Sequence, residues 1–279
     1  MLKQRVITAL ILAPLVIWGV FSLPAFYFSL FILFIVALAS WEWGHLSGIS
    51  GKLPLGVYTV ASLCALSLLL WFADIQQNQF YILLTISVIW WLNRVVRIIN
   101  YKAKAEAAVA LEQGINIPVA MSILVSIIIP FYSLIYLRNE YSLHGYLFYL
   151  LLLIWGADIF AYFAGKHFGK RKLAPHVSPG KTWEGAYGAM AGTLVCSVSG
   201  SYIFEFPIND AIIFFVLSLV VVVISIFGDL SESLYKRQSG VKDSGNILPG
   251  HGGILDRVDS LIAAAPFYII GLLISGLLP

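Results

Sequence analysis

The sequence predicts an all-α integral membrane protein: a polytopic bundle of about nine transmembrane helices, N-terminus cytoplasmic, with a polar cytoplasmic site region. Three observations predict this. Of 279 residues, 60% are hydrophobic and only 11% charged, with a mean hydropathy of +0.90. Soluble domains carry about 25% charged residues, so this composition excludes them. Nine apolar segments recur along the chain, most near the ~20 residues a spanning helix needs. Finally, if the sides alternate from a cytoplasmic N-terminus, every one of the 17 Lys and Arg except Arg138 falls inside. That is the positive-inside asymmetry.

The apolar segments are Val6–Leu23, Ala25–Ser40, Leu53–Phe72, Phe80–Leu92, Ile117–Leu137, Gly145–Ala164, Gly185–Phe204, Ala211–Gly228 and Leu261–Leu278. Met1–Arg5 is short and basic, but no small-residue cleavage site precedes Leu23, so the first segment reads as a retained helix rather than a leader. Pro24 separates the first two segments and predicts a tight helical hairpin. Phe80–Leu92 is short. Its helix is expected to continue through Arg94 and Arg97, whose long stems can snorkel. The loop Asn93–Asn116 is basic and Ala-rich, either an ordinary cytoplasmic loop or a short amphipathic helix on an anionic leaflet. Gly188 and Gly192 form a GxxxG that favours close helix packing, within the chain or between chains. Cys64 and Cys196 lie in apolar runs and are expected to be buried and unpaired. Two regions are expected, 1–116 with four helices and 117–279 with five helices and the polar motifs. The compact chain points to a bacterial inner membrane.

The chemistry-bearing residues gather in two polar stretches. In the first, Phe227–Ser260, a continuation of the eighth helix past Gly228 would align Asp229, Glu232, Ser233, Lys236 and Arg237 at i, i+3, i+4, i+7 and i+8. Asp256, Arg257 and Asp259 open the last helix. If these helices form a hairpin, Asp229, Asp256 and Asp259 approach one another, and facing carboxylates repel unless a cation lies between them. Mg²⁺ takes such oxygen ligands together with water and substrate phosphates. The loop between, with Lys242, Asp243, His251, Gly252 and Gly253, is rich in glycine, which lets backbone N–H groups approach phosphate. His251 can bond a phosphate, act as an acid or cap the loop. In the second stretch, Lys166–Glu184, basic residues surround Ser178, Lys181 and Thr182, candidates for phosphate binding. Gly180-Lys181-Thr182 is not the end of a P-loop, because Pro175 stands where glycine is needed and no strand is expected before it. Asp158, inside the sixth segment, is a functional suspect or a helix–helix hydrogen-bonding group.

Ser233-Leu-Tyr-Lys236-Arg237, Lys242-Asp243 and His251-Gly252-Gly253-Ile-Leu-Asp256-Arg257-Val-Asp259 resemble the signature of phosphatidate cytidylyltransferases, the CDP-diacylglycerol synthases. Ser178-Pro179-Gly180-Lys181-Thr182-Trp183-Glu184-Gly185 is similar to a second motif of that family. Many members carry Lys at the place of Gly180, and Phe or an aliphatic residue at that of Tyr235. The resemblance implies that CTP and phosphatidic acid give CDP-diacylglycerol and pyrophosphate in phospholipid synthesis. It also implies Mg²⁺, with room for a second cation such as K⁺, a homodimer and a cytoplasmic active site. It assigns the metal to Asp229, Asp256 and Asp259. On this reading Lys236, Arg237, Lys242, Asp243 and His251 are catalytic candidates. Ser178, Lys181, Thr182, Glu232, Ser233, Gly252, Gly253 and Arg257 are substrate-binding candidates. The alternatives are a transporter of an anionic substrate and another Mg-dependent lipid-phosphate transferase. Against the first, the ionisable residues gather at one surface rather than along a midplane path.

Overall fold

The computed structural model describes residues 2–71, 77–101, 114–140, 143–247 and 252–278. All nine apolar segments fall on helical stretches. These are α1 (Leu2–Ser22), α2 (Ala25–Leu46), α3 (Lys52–Trp71), α4 (Gln77–Ile99), α5 (Ile117–Met121) continued through a π-turn at Leu124–Ile128 into α6 (Ile129–Glu140), α7 (His144–Phe168), α8 (Trp183–Ile203), α9 (Ile208–Gln238) and α10 (Leu255–Ser275). Seven spans among the described residues are long and apolar enough to cross a membrane: α2, α3, α4, Ile117–Asn139, α7, α9 and α10. Their outward faces carry large apolar side chains such as Phe34, Val60, Ile89, Tyr162 and Val216. In water such surface would be costly, whereas in lipid it is solvated. The protein is an integral membrane protein.

Helix ends follow local chemistry. Pro24 caps α2, its carbonyl accepting the Phe28 N–H at 2.9 Å, and makes the expected turn from α1. Asn116 caps α5 by accepting the Val119 N–H at 3.1 Å. The π-turn lies just before Pro130, which lacks the N–H that the next helical hydrogen bond requires. Arg138 donates to the carbonyls of Val20 and Leu23 at the end of α1. The single cation that charge counting leaves outside thus satisfies a helix C-terminus.

Helix α10 runs through the centre of the bundle. Ala263, Ala264, Ala265, Tyr268 and Ile269 are fully buried, and the small residues admit close neighbours. Helix α9 uses this at Gly228, where a Cβ would lie 2.6 Å from both the Ala263 Cβ and the Asp259 carbonyl oxygen. The GxxxG of α8 works within the chain. A Cβ on Gly188 would collide with Ala164 and lie 2.7 Å from the Phe160 carbonyl, and one on Gly192 would lie 2.8 Å from the Phe160 ring.

Four expectations change. The basic loop holds a small antiparallel hairpin, β1 (Lys172–Ala174) with β2 (Ser178–Thr182), which the hydropathy-based reading did not foresee. Arg94 does not snorkel. It is buried, donates to Ser231 Oγ at 3.1 Å and stacks 4.3 Å from the Tyr235 ring, because α4 packs against α9 there; Arg97 is exposed. Cys64 sits on an exposed face of α3 and Cys196 is half-buried, and neither forms a disulfide. The apolar run ends at Ser40, yet α2 continues to Leu46 and carries Glu42 into the interior. Of the Ala-rich loop, residues 102–113 lie outside the described residues.

Gly188→Val is expected to destabilise the bundle by about 1–3 kcal/mol through overpacking. The measurement is thermal unfolding in detergent of Gly188→Val beside Val198→Ala, a substitution on the exposed face of α8. Equal melting temperatures for the two would place the α7–α8 contact elsewhere.

Candidate active site

A cavity of about 450 Å³ opens between the middle of α7, the last turns of α9 and the first turns of α10. Its floor is apolar, with Leu151, Ile154, Trp155 and Leu261. Its wall is ionic: Asp158 from α7, Asp229 and Lys236 from α9, Asp243 from the following loop, and Asp256, Arg257 and Asp259 from α10. Helical spacing accounts for the grouping. Asp229 and Lys236 are two turns apart on one face, as Asp256 and Asp259 are one turn apart on theirs. The contact at Gly228 brings the two faces together.

Cations divide the acids. Lys181 Nζ, delivered by β2, lies 2.7 Å from Asp229 Oδ2, and Ser233 Oγ donates to Asp229 Oδ1 at 3.2 Å. Lys236 Nζ lies 2.5 Å from Asp256 Oδ1 and 3.4 Å from Glu232 Oε1. Asp256 Oδ2 accepts from the Gly253 N–H at 2.8 Å, the Ser244 N–H at 3.1 Å and Ser244 Oγ at 3.0 Å. Asp256 therefore closes the first turn of its own helix as a capping carboxylate does. Gly252 has φ +80°, and a Cβ there would lie 2.5 Å from Asp256 Oδ2, so both conformation and space require glycine. Asp259 accepts the Ser260 N–H at 2.7 Å.

Acidic groups in the cavity wall outnumber the cations among them, which favours a bound cation. The donors are hard carboxylate oxygens, as Mg²⁺ prefers. Asp229, Asp256 and Asp259 face one cavity, but among the described residues no three acidic, His or Cys groups converge as a ready-made ligand cage. Mg²⁺ does not require one: one or two carboxylates with waters and substrate phosphates suffice. The residues present fit the ion on these terms.

Other candidates have different places. Arg237 and Lys242 are exposed and lie outside the cavity lining. Arg237 is eight residues beyond Asp229, about 80° off its direction on the helix, and donates to the Val241 carbonyl at 3.4 Å. Glu232 is buried behind Lys236. Thr182 caps α8, accepting the Gly185 N–H at 3.1 Å, and Ser178 is half-buried on β2; neither lines the cavity. His251 lies outside the described residues. One important carboxylate was missed. Glu42 on α2 is buried against Gly245 and Gly253 and accepts from Ser244 Oγ, Ile254 N–H and Leu255 N–H. A lone acid between two tryptophans, Trp41-Glu42-Trp43, at the end of an apolar run was the available signal.

Comparison with known proteins finds similarity along nearly all of the chain. The sequence model of the cytidylyltransferase family matches residues 3–275. A phosphatidate cytidylyltransferase of Pseudomonas aeruginosa is 40% identical over 269 residues, covering 96% of each chain. One of Haemophilus influenzae is 37% identical over 291 residues, covering 96% of this chain and 97% of that one. One of Bacillus subtilis is 46% identical over 142 residues, 49% of this chain and 51% of that one. The chain belongs to the cytidylyltransferase family.

Proposed function

We propose that this chain is a phosphatidate cytidylyltransferase whose active site is the acidic cavity between the middle of α7, the last turns of α9 and the start of α10. End-to-end similarity to enzymes of that name carries the proposal. CTP and phosphatidic acid become CDP-diacylglycerol and pyrophosphate. An oxygen of the lipid phosphate attacks the α-phosphorus of CTP, the bond from that phosphorus to the β-phosphate bridging oxygen breaks, and pyrophosphate leaves with the electron pair. A phosphate monoester has a second pKa near ~6, so the nucleophile is already largely dianionic and needs no strong general base. Phosphoryl chemistry of this kind rests on positioning and charge stabilisation.

Asp229, Asp256 and Asp259 would hold Mg²⁺, which when bound supplies charge neutralisation at the triphosphate. The remaining work belongs to the chain. Lys236 and Arg257, in the cavity wall, face the anionic groups, and Lys181 stands beside Asp229. Exposed Lys242 and Arg237, outside the cavity lining, would draw anionic substrate from solution. Asp158 adds a carboxylate from α7 to the same cavity. The positive-inside asymmetry supports a cytoplasmic active site, and the bacterial relatives support an inner-membrane location. A homodimer belongs to the same reading, with the wide apolar faces of α1 and α3 available to a second copy or to lipid.

Purified protein in mixed micelles, given phosphatidic acid and cytidine-labelled CTP, is expected to move label into the lipid only when Mg²⁺ is present. No transfer by folded protein would reject the reaction. Asp256→Asn keeps the size of the side chain but loses its charge toward Lys236, and is expected to abolish turnover in a protein that still purifies folded. Wild-type turnover in that variant would remove Asp256 from the metal role. Lys181→Ala is expected to raise KM for a phosphate substrate by about tenfold, in the range of one charged hydrogen bond. An unchanged KM would place the hairpin outside the site.

A further inference from the structure

We infer that Glu42 is the positioning residue that sets the Asp256 loop for catalysis, an inference that rests on the reaction proposed above. The two carboxylates meet at one helix start. Glu42 Oε1 accepts the Ile254 N–H at 3.0 Å, and Oε2 accepts the Leu255 N–H at 2.9 Å and Ser244 Oγ at 2.9 Å. The first N–H groups of a helix have no partner within it. Here Glu42 takes two groups at the start of α10 and Asp256 takes the Gly253 N–H just before them. The Ser244 hydroxyl, 2.9 Å from Glu42 and 3.0 Å from Asp256, links the acid of α2 to the acid facing the cavity.

The loop is trimmed to fit this carboxylate. A Cβ on Gly245 or on Gly253 would lie 2.5 Å from Glu42 Oε1. Neither glycine has a positive φ, so space rather than conformation excludes a side chain there. The other end of the loop is tied to the same helix, with Ser239 Oγ donating to the Leu46 carbonyl at 2.8 Å. Both ends of the segment joining α9 to α10 are therefore anchored on α2, and α2 lies outside the cavity wall. Glu42 makes no contact with the cavity itself and touches the Asp256 site through Ser244 and the backbone at Ile254 and Leu255. Groups that orient a metal's carboxylates commonly change metal affinity or activity by about 10–100-fold when removed.

Glu42→Gln keeps the shape but places an amide NH₂ against N–H or O–H donors. Two readouts apply to purified, folded protein. The first is steady-state kinetics as a function of Mg²⁺, where kcat is expected to fall about tenfold or more with the half-saturating Mg²⁺ raised and the KM for phosphatidic acid within about twofold. The second is amide hydrogen exchange, where Ile254 and Leu255 are expected to exchange faster while the amides of α3 keep their rates. A folded Glu42→Gln protein with wild-type kcat, wild-type Mg²⁺ dependence and unchanged exchange at Ile254 and Leu255 overturns the inference. Should Glu42→Gln not fold, Ser244→Ala leaves the Glu42 contacts to Ile254 and Leu255 and carries the same test. A raised Mg²⁺ requirement supports the link, and a wild-type one overturns it. Failure of the proposed reaction is separable, since it silences the wild-type protein itself. The exchange comparison then still decides whether Glu42 holds the loop.

Discussion

Lys236 sits between carboxylates that would otherwise repel. Its ammonium lies 2.5 Å from Asp256 and 3.4 Å from Glu232, at a level where side chains are largely withdrawn from water. Removing one partner of such a cluster leaves uncompensated buried charge, a far larger cost than the net value of the pair. The geometry of the helix ends follows from this constraint. Asp229 needs Lys181, so the β-hairpin must dock on α9; Asp256 needs Lys236, so the start of α10 must face the last turns of α9. Gly228 makes the second requirement possible, because no larger residue leaves α9 close enough to the Asp259 carbonyl.

The polar motifs all lie after residue 157, yet the first half of the chain supports them. Arg94 from α4 is buried beside Ser231 and Tyr235, one turn from Glu232 on α9. Trp43 meets the other side of Tyr235, edge-on at 5.0 Å. Glu42 from α2 grips the start of α10. Side chains from α2 and α4 thus brace the end of α9 and the start of α10, the two segments that bear the aspartates. A substitution in either N-terminal helix can therefore reach the cavity without lining it.

The helices were legible because a bilayer leaves so few options: apolar runs of spanning length must be helical. The alignment of Asp229 with Lys236 and of Asp256 with Asp259 was legible for a similar reason, since a helical period converts spacing into direction. Arg237 shows where that rule loosens, because eight residues overshoot two turns enough to leave the cavity. Glu42 and Arg94 were not legible as partners of the site. Their contacts span more than a hundred residues of sequence, and hydropathy does not say which helices are neighbours. The hairpin was hidden differently. Its strands are too short for a period, and Thr182, counted among the ligand-binding candidates, proves to be a helix cap.

The position of the cavity follows from the solvents on its two sides. A group that must meet a soluble nucleotide cannot sit at the bilayer midplane without carrying its charge through hydrocarbon. One that must meet a lipid phosphate cannot stand far from the headgroup layer. A cavity between mid-α7, the last turns of α9 and the start of α10 can satisfy both conditions, lined by apolar Leu151, Ile154 and Leu261 as well as by the ionic groups. The opposite end of the bundle is built differently. There Tyr146 donates to the Leu277 carbonyl and stacks on Phe204, and Arg138 satisfies the end of α1. Among the described residues Glu205 and Asp210 stand apart at that end, whereas Asp229, Asp256 and Asp259 line one cavity. Carboxylates that converge on one enclosure, rather than standing singly in solvent, separate a site from a set of caps, because their mutual repulsion has to be offset by a cation.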